Sequence, residues 1–141
     1  MPALARPAAR ELFTSARVAR LATVSAAGQP HLVPCVFAVD GDLVYSAVDA
    51  KPKTTRDLRR LANIASNGQV ALLADEYAED WASLWWVRAD GRAAILDTAT
   101  QMAGPLRLLT TRYPQYQVAP PPGPVIAVTV TRWVGWSASA R

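Results

Sequence analysis

The chain has 141 residues, 51% of them apolar and 18% charged, with a formal net charge of +4. That length suits one domain, residues 1–141, burying about two-thirds of its extended surface, and the apolar content excludes a disordered chain. No apolar run reaches the ~18 to 20 residues of a membrane span, and MPALARPAARELF lacks the roughly 7- to 15-residue apolar stretch of a secretion signal, so the chain reads as soluble and cytosolic.

Ala8 to Arg17 predicts a short helix with Leu12 and Phe13 toward a core and Pro7 in its first turn. From Arg20 the pattern changes to strands. LATVS is followed by a turn at Gly28, a second strand from His31 to Val39, a DGD turn and a third strand from Leu43 to Val48. Pro34 has no N–H for a central ladder, which places the second strand at an edge, a bulge or a barrel rim and leaves backbone groups free for a ligand.

Next comes KPKTTRDLRR, which holds five cationic side chains between Lys51 and Arg60, including both lysines of the chain beside its thirteen arginines. Pro52 stiffens the loop, Thr54 and Thr55 offer hydroxyls, and Arg56 begins a helix to Leu61 whose free N–H groups favour an anion. Lysine as a point charge and arginine as a two-pronged donor together enclose a terminal phosphate, although a solvated basic helix start gives the same letters. The field is local, since Asp75 to Asp80 carries four carboxylates, and that suits a small anion better than a nucleic-acid track.

Asn67-Gly68 returns the chain to a strand, QVALLA, before the acidic loop DEYAEDW. SLWWVRADGRAAILD predicts a strand pair or one strand bent at Asp90-Gly91; Trp85 and Trp86 then point to opposite faces. ATQMAGPLRLLTTRY predicts a helix interrupted or started near Gly104-Pro105, VAPPPGP a stiff connection, and VIAVTVTRWVGW a last strand with Trp133 and Trp136 on opposite faces. Arg132 is either an anion contact or a surface partner. Six or seven short strands with few crossover helices predict a mainly β, antiparallel barrel with short helices, because the first connections are too short for parallel pairing.

Cys35 is the only cysteine and His31 the only histidine, which excludes an internal disulfide and a histidine- or cysteine-rich metal centre. Cys35 reads as a small buried apolar group rather than a nucleophile. His31 reads as a polar residue at a strand start, since no carboxylate nearby in sequence marks a relay.

Three segments in order carry a resemblance: Gly28-x-Pro30-His31-x-x-Pro34, the run from Lys51 to Arg60 followed by Asn63-Ile64, and Asp80-Trp81 through LWWVRADG. From about Arg20 to the final tryptophans the chain resembles the pyridoxamine 5'-phosphate oxidase-like split-barrel family, in its actinobacterial deazaflavin-dependent branch. The resemblance implies an antiparallel split barrel and a homodimer whose cofactor lies between subunits. It implies coenzyme F420, or FMN as in the parent branch, with hydride passing between the ring and an unsaturated small molecule. It implies a phosphate loop of Lys51 and Lys53, assisted by Thr54 and Arg56, and a ring wall of Thr23, Val24, Pro34, Cys35 and Val36. It assigns no acid or base. The chain lacks the R-x-H pattern of the pyridoxamine phosphate oxidases proper, so oxidation of pyridoxamine phosphate is not expected. A cofactor carrier without turnover is the alternative outside the enzymes.

Overall fold

The computed structural model describes residues 3–48 and 55–139, with side chains from residue 59 onward in the second stretch. In chain order the elements are α1 (Arg6–Ser15), β1 (Ala19–Val24), β2 (Pro30–Cys35), β3 (Ala38–Asp40), β4 (Leu43–Ala47), α2 (Thr55–Ser66), β5 (Gln69–Glu76), a single 3-10 turn (Trp81–Ser83), β6 (Trp85–Leu96), α3 (Ala99–Arg112), α4 (Pro114–Val118) and β7 (Val125–Ser137). The seven strands form one antiparallel sheet in the order β2-β1-β5-β6-β7-β4-β3.

The two ends of that order, β2 and β3, are consecutive in the chain and separated only by Val36 and Phe37. The expected single strand from His31 to Val39 is therefore two strands. Over Val36 and Phe37 the chain leaves one end of the sheet and joins the other, so the barrel closes through a two-residue link, the bend of the barrel wall, rather than a ladder. This is the antiparallel barrel expected from the short connections, in the split form that the resemblance implies, and Pro34 does lie on an end strand.

The bend removes Phe37 from the ladder, and its buried backbone groups need other partners. Tyr113, at the junction of α3 and α4, supplies them: its hydroxyl accepts from the Phe37 N–H at 3.1 Å and lies 2.9 Å from the Phe37 carbonyl. The same oxygen lies 3.0 Å from the Arg17 carbonyl and accepts from Arg112 Nε at 3.2 Å.

The barrel interior is filled by alternate strand residues, among them Leu21, Leu72, Ala74, Trp85, Val87, Ala89 and Val128. Helix α1 sets Phe13, fully buried, between Phe37 and Trp133, with ring centroids 4.8 Å and 5.4 Å away. Burying a side chain of that size is worth about 1.5–3 kcal/mol, so Phe13 is the main anchor of the helix. Polar ties fix its start: Arg6 and Arg10 meet Asp42 at 2.7 Å and 3.1 Å, and the same carboxylate accepts from Trp133 Nε1 at 2.9 Å. Asp42 follows Gly41, whose φ of 61° makes the tight turn between β3 and β4.

The segment around Asp90-Gly91 is one strand, β6, whose register against β7 slips there by one residue, leaving Thr131 as the bulge. Trp85 is buried and Trp86 half-buried on the other face; Trp133 is buried and Trp136 stands opposite Trp86. Both tryptophan pairs thus fall on opposite faces. Helix α3 corrects another expectation, because it runs unbroken through Gly104-Pro105. Its start is set at Thr98, whose side chain caps the Gln101 N–H while the Gln101 side chain returns to the Thr98 N–H, and Pro105 is buried within the helix.

Candidate functional site

One end of the sheet is β2. Strand β2 pairs with β1 on one side and, among the described residues, has no sheet neighbour on the other. Its residues alternate: Pro30, Leu32 and Pro34 are exposed, while His31 and Val33 are half-buried and Cys35 is buried. His31 stands opposite Thr23 of β1. Thr23 is buried, and its hydroxyl oxygen accepts from Asn63 Nδ2 of α2 at 3.0 Å, so α2 is tied to the same place.

Two cations of α2, Arg59 and Arg60, lie near enough to His31 to act on it by charge. Partial desolvation first, then the charges of Arg59 and Arg60, hold its imidazole below the ordinary 6.5. The ring Nδ1 is occluded and makes no hydrogen bond. Deeper along β2, burial pushes the Cys35 thiol up to about 11, against a smaller lowering from its hydrogen bond with Ser46 and the charges of Arg60 and Arg20. Cys35 is therefore a protonated, buried thiol at neutral pH, as its reading as a small apolar group expects.

The residues expected to hold a cofactor fall into three groups. Lys51, Lys53 and Thr54 lie outside the described residues; Arg56 is placed by backbone alone, in the first turn of α2. Thr23 and Cys35 share the inward face. Val24 is half-buried and Pro34 exposed on the opposite side, and Val36 packs against Ala38, Leu109 and Tyr113 beyond the bend. Their side chains do not line one surface, so what β2 offers as a wall is its backbone edge. In the sequence Asn63 stood out only as half of the Asn63-Ile64 pair after the cationic run, with no site role; its bond to Thr23 depends on the fold.

A barrel closed through a bent end strand, with a basic helix beside that strand, defines the class of split-barrel proteins. The sequence profile of pyridoxamine 5'-phosphate oxidase matches residues 5–137, and the chain belongs to that family. Its fold is similar to that of an FAD-binding protein of Mesorhizobium loti, at 19% identity and a TM-score of 0.74, over 95% of each chain. An FAD-binding protein of Mycobacterium smegmatis is 18% identical with a TM-score of 0.67, over 96% of this chain and 98% of that one. The heme storage protein HutZ of Vibrio cholerae is 15% identical with a TM-score of 0.69, over 92% of each. At these identities the likeness is one of fold. No curated protein matches the chain. No described helix is long and apolar enough to cross a membrane.

Proposed function

We propose that this protein is an oxidoreductase that holds a phosphorylated flavin between the free edge of β2 and helix α2. The observation that carries the reading is the meeting of two kinds of donor at one place. An unpaired strand edge can bond the polar rim of a planar ring, and Arg59 and Arg60 supply positive charge for a phosphate. Among the described residues, the charged groups that act on the His31 ring are both cations, which suits an anion site. Family membership and the FAD-binding neighbours support a flavin as that anion.

In this reading Lys51, Lys53, Thr54 and Arg56 complete the phosphate contacts, and the backbone of Thr23, Val24 and Pro34 to Val36 meets the ring. When bound, the flavin supplies the hydride chemistry. The chain's part is to bind, to orient and to exclude water, and the protonated Cys35 takes no nucleophilic role. The working unit is a homodimer with the site at the subunit boundary.

The order of motifs along the chain supports a narrower form, in which the cofactor is the deazaflavin F420 and hydride passes between its C5 and an unsaturated small molecule. Equilibrium binding of FMN, FAD and F420 to the purified protein separates the two. Saturable flavin binding, lost in Lys51→Ala/Lys53→Ala, is the expected result; exclusive F420 binding selects the narrower form, and no binding of any of the three overturns the proposal. A panel of enones, quinones and biliverdin then tests turnover, because a bound cofactor that no acceptor reoxidises marks a carrier. Sedimentation with and without cofactor tests the shared site: undiminished binding by a monomer refutes it.

A further inference from the structure

His31 is the only histidine of the chain, and nothing in the oxidoreductase reading uses its side chain. Its ring lies on the inward face of β2, opposite the buried Thr23–Asn63 hydrogen bond and beside α2. The ring is half-buried, and one nitrogen, Nδ1, is sealed from solvent with no partner. A proton on Nδ1 would be a buried donor without an acceptor. The charged groups that act on the ring, Arg59 and Arg60 from α2, oppose a second proton as well, and its neighbour across β1, Thr23, brings no charge. The arrangement therefore selects the neutral ring with its single proton on Nε2, the nitrogen that is not sealed.

We propose that His31 is a phosphate-binding residue of the cofactor site, presenting a neutral Nε2–H as a fixed hydrogen-bond donor beside the positive charge of Arg59 and Arg60. Charge and donor then have separate sources. The two arginines attract the anion, and the imidazole bonds one phosphate oxygen without adding a charge that would repel them. This inference rests on the phosphorylated-ligand reading and adds the residue, the atom and the protonation state.

A single histidine makes the test direct. In untagged, 15N-labelled protein the imidazole gives one long-range 1H–15N pattern. The expected pattern at pH 7 is the neutral ring with Nε2 protonated, titrating below 6.5, and addition of inorganic phosphate shifts the Nε2 signal. A ring protonated on Nδ1, or one unmoved by phosphate at saturation, overturns the proposal. In the binding arm, His31→Phe weakens FMN by about tenfold to a hundredfold, the value of one hydrogen bond to a charged group, and leaves riboflavin, which has no phosphate, unchanged. His31→Gln, which keeps an N–H donor, retains most of the FMN affinity. Equal losses for FMN and riboflavin refute a phosphate contact. If the wild-type chain binds no flavin, the cofactor reading fails by itself, and the phosphate response of the one imidazole still decides the role of His31.

Discussion

Replacing Tyr113 by Phe removes one oxygen and nothing else, at the point where the barrel turns from one end of its sheet to the other. The ring keeps its packing with Tyr116, 6.0 Å away between centroids, and no cavity larger than a hydroxyl forms. What changes is the backbone of Phe37, a residue with 0% exposure, whose N–H loses its 3.1 Å acceptor and whose carbonyl loses a donor at 2.9 Å. An unsatisfied buried backbone group costs about 1–3 kcal/mol, so with the donor lost and the carbonyl less well served the expected loss is about 2–4 kcal/mol. For a chain of this size that is roughly 6–15 °C in Tm. Urea unfolding followed by tryptophan fluorescence measures it, with Tyr77→Phe, at 64% exposure, as the control that stays within about 0.5 kcal/mol of wild type. A Tyr113→Phe variant as stable as that control would show that the bend does not depend on this hydroxyl.

Asp42 is held below the ordinary 3.8, first by the Trp133 indole N–H and then by Arg6 and Arg10. Its contribution is therefore present above that value and lost as pH falls through the lower folded one, so Asp42→Asn lowers stability near neutrality and the difference closes in acid; unfolding at stepped pH checks this, and a gap that stays constant refutes it. Gly91→Ala places a Cβ 2.3 Å from the Thr129 carbonyl oxygen, a backbone atom at the β6–β7 bulge, and is expected to cost about 3 kcal/mol or more, read by thermal melting or by failure to fold. Cys35, buried and pushed up to about 11, reacts with a thiol reagent at pH 8 at a rate set by opening of the barrel, so the native protein reacts orders of magnitude more slowly than protein in denaturant; equal rates refute the assigned burial.

The strand content, the antiparallel pairing and the end position of Pro34 were legible because short connections and a donorless residue are local facts. The bend at Phe37 was not, since HLVPCVFAV is apolar almost throughout with no turn residue at that point, and the partner that stabilises it, Tyr113, is 76 residues away. Pro105 misled for a related reason: a proline argues for a break, but the cap at Thr98 and burial of the ring outweigh one lost hydrogen bond. At the site, the cationic run announced an anion, and the burial of Cys35 as a small apolar group was also read from the sequence. The link between Asn63 and Thr23, 40 residues apart, needed the fold. Likewise, the sealed nitrogen of His31 depends on which side of the ring the folded chain covers.

The position of β7 has a consequence for how the molecule is made. It lies between β6 and β4, and the β3–β4 hairpin reaches the rest of the sheet only through it. On the ribosome, the nascent chain therefore carries the hairpin and the β1–β2–β5–β6 group as two separate pieces, each with an open edge facing the place of a strand not yet translated. The two pieces are joined into one sheet only when residues 125–137 have emerged. For most of its synthesis the polypeptide has no barrel, and a message that stops before that strand yields a product exposing both edges to chaperones and proteases.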